Sequence, residues 1–187
     1  MQNQFDLNDF LWGLWKTMGY NAIQLAVAHE SWTFWKSVGC DDLHAAAWLG
    51  NEDGETSFVT SGPLSVGDHG EAHGPAQMHK PRMDYIKEHM PEHVDILTAS
   101  HLDCLKAIHW EATPSKGNKS MYRKVWAVFM ATTSIDSDHT VTPPVIGASE
   151  VLIHNYEQSG SQARDIARRT ALAKFWLDYA QKNWGAK

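Results

Sequence analysis

The sequence predicts an α+β fold that is mostly helical, with one small irregular hairpin region. Three observations predict it. Apolar residues recur at three-and-four spacing toward both ends of the chain. Between Gly54 and Gly74 the spacing gives way to glycine-rich turn pairs, Gly62-Pro63, Gly67-Asp68 and Gly74-Pro75. The composition, 43% hydrophobic and 20% charged, is that of a globular chain.

Residues 6–38 are apolar and aromatic at helical spacing and stop at Gly39-Cys40. Asp41 or Asp42 is placed to cap the next helix, because a short carboxylate accepts the unpaired N–H groups of a first turn. That helix carries Leu43, Ala46, Ala47 and Gly50, a small-residue face that lets another backbone come close. The glycine-rich segment follows as short extended pieces joined by turns. Helix returns from about Pro81 to Met90 and ends at Pro91. Val94, Leu97, His101, Cys104, Leu105 and Ile108 step by threes and fours, as do Tyr122, Val125, Trp126, Phe129 and Met130. Pro143-Pro144 make 134–144 a loop. Ile146, Leu152, Ile153 and Tyr156 resume the helical pattern. Gly160-Ser161 break it before a last helix with Leu172, Phe175, Trp176 and Tyr179 inward.

The 187 residues favour one domain, two at most, and a chain of this length buries roughly 70% of its unfolded surface. The formal charge of −6 offers no basic surface for nucleic acid or an anionic membrane. Protonating all eleven histidines would carry it to +5, so mild acid is expected to favour binding to an anionic wall. Cys40 and Cys104 read as reduced packing residues rather than a disulfide framework. No basic leader precedes Phe5, and the apolar run Tyr20–Ala28 is far below the ~20 residues of a membrane span. Nine tryptophans are many for this length. Trp126 and Trp176 fit core stripes, whereas Trp12, Trp15, Trp32 and Trp35 read equally as core, as a docking surface or as platforms for sugar rings.

Chemistry is sought where polar and glycine residues concentrate. Glu52, Asp53 and Glu55 end one helix, and Asp68 and Glu71 sit in the turns after it. Glycosidic cleavage needs a carboxylic acid for the leaving oxygen and usually a second carboxylate for water or for the cationic transition state. A helix end facing a hairpin supplies both. His69, His73 and His79 match no common zinc spacing, so neither metal nor cofactor is expected.

Glu55-Thr-Ser-Phe58 followed by Gly74-Pro-Ala-Gln77-Met resembles the Glu-Ser-x-Phe … Gly-x-x-Gln motif of lysozyme-like peptidoglycan glycosidases, which include goose-type lysozymes and lytic transglycosylases. Gly67-Asp68-His-Gly70 resembles the Gly-Asp-x-Gly turn of the goose-type enzymes. The nearest likeness is to phage tail-associated lysozyme domains. Their Gly-Asn-x-x-x-Glu-Ser-Gly-Phe segment is similar to Gly50–Phe58, and their later Phe/Tyr-Glu pair is similar to Tyr156-Glu157, with Arg168 and Arg169 beyond it. Ser57 stands where those domains usually have glycine, and His79 near where goose-type enzymes have a further acidic residue.

The likeness covers roughly residues 43–180, with the specific motifs in 50–79. It implies a lysozyme-like fold in 41–187, with 1–40 as a helical extension packed on it. It implies cleavage of the MurNAc–GlcNAc linkage of peptidoglycan, by a hydrolase or by a lytic transglycosylase that needs Glu55 alone. A non-catalytic virion or wall-binding module is the rival. By the same resemblance Glu55 is the general acid and Asp68 the second carboxylate, with Glu71 in reserve. An aromatic wall, with Trp48 as candidate, is expected to raise the pKa of Glu55 toward ~6. Gln77, Gly74, Ser57, Glu71, His79 and Tyr156 are placed beside the substrate. The partners implied are glycan strands and other virion proteins, and the location is the virion, or the host cytoplasm before release.

Overall fold

The computed structural model describes residues 19–58, 66–67, 70–157 and 162–185, with backbone alone at 66, 67 and 162. Trp12, Trp15, Asp68, His69 and Gly160-Ser161 lie outside the described residues.

Helix α1 (Ala22–Ser37) opens on a capping box. Asn21 Oδ1 accepts from the N–H groups of Ile23 and Gln24, and Gln24 Oε1 accepts from Asn21 N–H at 2.9 Å. Helix α2 (Asp42–Thr56) is capped by Asp41, whose Oδ1 accepts from His44 N–H at 2.9 Å. It ends in left-handed backbone at Ser57 (φ 52°) and Phe58 (φ 48°). The glycine-rich region then forms a three-stranded antiparallel sheet of two-residue strands, β1 (Val66–Gly67), β2 (Ala72–His73) and β3 (Met78–His79). Its register pairs Gly67 with Ala72 and Ala72 with His79. The mostly helical α+β architecture is therefore the observed one.

Helix α3 (Lys80–His89) begins with Pro81 in its first turn and stops before Pro91. Helix α4 (His101–Ala112) starts later than the apolar stepping from Val94 predicts. Asp95 closes a turn there, accepting from Leu97 N–H at 3.1 Å, and Ser100 caps the helix by accepting from Asp103 N–H at 3.1 Å. Short helices α5 (Val125–Met130) and α6 (Ala148–Leu152) flank the loop before Gly147. Ile146 is exposed outside α6, so the helical pattern resumes two residues later than its apolar stepping predicts. A π-helical turn (Ile153–Glu157) extends α6, and α7 (Gln162–Asn183) closes the chain.

All seven described tryptophans join one hydrophobic cluster: Trp32, Trp35, Trp48, Trp110 and Trp176 are buried, and Trp126 and Trp184 are half-buried against it. Trp35 stacks on Trp48 with ring centroids 4.3 Å apart. Trp32 and Trp35 thus pack the core, and α1, read as part of an extension, contributes to the same buried cluster as α2 and α7. Cys40 and Cys104 are free and buried, and burial pushes each thiol up to about 12. No described helix is long and apolar enough to cross a membrane.

Candidate active site

The site begins with two glycines one helical turn apart. A Cβ on Gly50 would sit 2.5 Å from the backbone nitrogen of Ala173, and one on Gly54 2.9 Å from Cγ of Arg169. Their absence lets α7 lie directly on α2, as the small-residue face predicts. Arg169, 6% exposed, then runs along Gly54 with its guanidinium held between two α2 side chains. One terminal nitrogen donates to Asn51 Oδ1 and the other to Glu55 Oε1. Asn51 and Glu55 are four residues apart and so face the same way.

Asn51 fixes a second carboxylate. Its oxygen accepts from Arg169, which has no acceptor to offer, so its nitrogen must serve the other side. There Nδ2 donates to Glu157 Oε1 at 2.7 Å. Glu157 is the last residue of the π-helical turn and is partly exposed. Burial, followed by the nearby charge of Glu55, pushes its carboxyl up to about 7, against the pull of Arg82, Arg169 and the Asn51 hydrogen bond.

Beneath lies a second ion pair. Arg82 is sandwiched between the rings of Tyr122 and Tyr156, 4.3 and 4.2 Å from their centroids. Its Nε donates to Glu111 Oε2 at 2.8 Å, and Tyr156 hydroxyl donates to the same oxygen at 3.0 Å. Tyr156 is fully buried. It shapes the site from below, and direct substrate contact by this residue is corrected accordingly.

Two of the three carboxylates at the C-terminal end of α2 belong to the core rather than to a solvated helix end. Glu52 is buried, accepting from Ser31 Oγ at 2.8 Å with His101 Nε2 3.1 Å away. Asp53 is buried, accepting from Tyr20 hydroxyl at 2.5 Å and Trp176 Nε1 at 2.9 Å. Burial raises the pKa of both. Glu55 alone of the three keeps an open face, its side chain 18% exposed. Trp48, expected as its aromatic wall, is 2% exposed and packs on Trp35, Phe129 and Tyr156 inside the core.

The remaining expected residues separate. Ser57 forms the left-handed end of α2, its carbonyl accepting from Gln24 Nε2 at 2.8 Å. Gly74 (φ 75°) and Gln77 (φ 43°) close one turn, in which Gln77 N–H and Nε2 both donate to Gly74 carbonyl at 3.0 Å. Glu71 and His79 are exposed and come together on a cavity of about 540 Å³ that His73, Lys80, Met83 and Leu97 also line. Asp68 follows β1 but lies outside the described residues.

Sequence reasoning placed Tyr156 beside the substrate and singled out Glu157 and Arg169 only as parts of a similar segment. The signal was present, but no spacing rule relates residue 51 to 157 or 55 to 169. No curated protein and no solved structure matches the chain. Residues 26–180 match the phage tail lysozyme family, a span that takes in α2, the sheet, the Tyr156-Glu157 turn and Arg169. With most of its length inside that match, the chain belongs to the phage tail lysozyme family.

Proposed function

We propose that the protein cleaves the MurNAc–GlcNAc β-1,4 linkage of bacterial peptidoglycan as a virion-associated or released phage lysin, with Glu55 as general acid. The observation that carries this reading is the setting of Glu55. Of the three carboxylates at the C-terminal end of α2 it is the one with an open face, and the Arg169 fork fixes its orientation. General acid catalysis needs that fixed direction toward the leaving oxygen, and it contributes typically 10²–10⁴-fold. Asp68, which follows β1, is the proposed second carboxylate for the attacking water. The turn held by Gly74 and Gln77 and the cavity lined by Glu71 and His79 are the proposed contacts to the glycan.

The chemistry follows from these roles. Glu55 protonates the glycosidic oxygen, the C1–O bond breaks with its electron pair going to that oxygen, and water adds at C1. Lysis of purified walls by wild type and Glu55→Gln tests the reading, because the amide keeps the shape and donates no acid proton. Loss of at least 10²-fold is expected, and equal lysis by both would overturn it. Mass spectrometry of the released muropeptides should show reducing ends. Anhydro ends would replace hydrolysis with transglycosylation.

A further inference from the structure

We infer that Glu157 is the proton-holding partner of Glu55, and that the two carboxylates act as one acid with a single proton between them, resting on Glu157. This inference rests on the reading of Glu55 as general acid and adds the group that keeps that acid supplied.

Charge arithmetic points to it. Among the described residues, the groups facing Glu157 are Glu55 from α2, Arg82 from α3, Glu111 behind Arg82 from α4, Tyr156 beside it, and Arg169 from α7. With Tyr156 neutral, three carboxylates meet two guanidiniums, one negative charge in excess in a half-buried place. One proton makes the cluster neutral. Glu111 is committed to Arg82 and Tyr156, and Glu55 is bonded to Arg169. Glu157 has no guanidinium bonded to it among the described contacts. Its Oε1 accepts from the neutral amide of Asn51, which leaves Oε2 as the place for the proton. The raised acidity constant of this carboxyl, near neutrality, agrees with that placement. Two carboxylates with their protonation pushed apart by one another's charge are the recurrent way to keep an acid charged with its proton at neutral pH.

The proton balance closes. The proton leaves Glu157 and reaches Glu55 through solvent at their open faces, leaving Glu157 ionised in the field of Arg82 and Arg169. Glu55 gives it to the leaving oxygen. The water that adds at C1 releases one proton, which restores the pair.

Carboxyl carbons observed by NMR in ¹³C-Glu-labelled protein test the coupling without any substrate. Besides buried Glu52, whose raised titration is assigned by its loss in Glu52→Gln, wild type should show a carboxyl titrating near pH 7, and Glu157→Gln should lack it. In Glu55→Gln that titration should fall by at least one pH unit, since a like charge is removed and Arg169 is freed. A neutral titration other than that of Glu52 that survives Glu157→Gln, or that ignores Glu55→Gln, overturns the inference. In wall lysis, Glu157→Gln should move the alkaline limb at least one pH unit toward acid. A profile merely scaled down, with its limbs unmoved, also overturns it. If Glu157→Gln fails to fold, the titration shift in Glu55→Gln alone decides. The two readings fail separately: full lysis by Glu55→Gln sinks the catalytic assignment, whereas the NMR titrations judge the shared proton.

Discussion

Arg169 crosses α2 over Gly54, where a single added methyl group would lie 2.9 Å from the Cγ of its side chain. The crossing makes a helix-packing glycine part of the packing that holds Arg169 against Glu55. A Gly54→Ala variant should therefore lose wall lysis by at least tenfold. Its stability should change by less than about 2 kcal/mol, since better helix propensity offsets part of the strain. Gly50→Ala should behave the other way. Its Cβ would meet backbone at Ala173 2.5 Å away, which cannot swing aside, and about 1–3 kcal/mol of stability should go. Urea melts paired with lysis assays check both.

Removing the guanidinium itself should be more severe. Arg169→Met leaves Glu55 and Asn51 without their shared donor and should cost about 3 kcal/mol in urea unfolding. Arg169→Lys keeps the charge but not the planar fork that reaches both partners. It should fold and still lose at least tenfold in lysis; full activity in that variant would show that charge alone suffices.

Ser57→Gly should stabilise the protein. Ser57 ends α2 with a φ of 52°, a region that favours glycine, and only its backbone groups take part in the contacts at that turn. The expected gain is about 1 kcal/mol, read as a rise in melting temperature. A fall would mean that the Ser57 side chain holds the turn.

The part of stability that depends on His101 should decline as pH falls from about 6.5 to about 4, against the opposite contributions of Glu52, Asp53 and Glu157. Burial lowers the pKa of His101 from 6.5 to about 4, so over that window the unfolded chain binds a proton that the folded chain refuses. The loss is on the order of 3 kcal/mol at most. The stability of wild type relative to His101→Gln should fall over that range, measured by urea unfolding at several pH values. Glu52, which faces His101, acts with the opposite sign. Its raised pKa stabilises the fold at low pH, and that contribution is lost as pH rises. The expected gain of positive charge in mild acid therefore excludes His101 until about pH 4.

Much of the fold was legible because its signals are local. Asp41 caps α2 through His44, three residues away, and Pro91 ends α3 from just beyond it. Gly74 and Gln77 make their own turn. Reading failed where local patterns competed. Val94 and Leu97 continue the stepping of α4, yet Asp95 and Ser100 capture the backbone first. It failed again where polar residues were sent inside. Glu52 and Asp53 look like a solvated helix end, but a hydrogen bond from Ser31, with His101 close by, serves the one and hydrogen bonds from Tyr20 and Trp176 serve the other, which makes their burial tolerable.

By itself the sequence determined the mostly helical architecture, the position of the small sheet and the segment around Glu55, because caps, turns and motifs act over a few residues. Only the tertiary structure decided that Trp48 faces the core, that Tyr156 lies beneath the site and that Glu157 joins it. Asn51 meets Glu157 across 106 positions of chain, and Arg169 meets Glu55 across 114. Such pairs exist only once α7 has settled into the space that Gly50 and Gly54 leave open, and that contact is made by packing whole helices rather than by any neighbour in sequence.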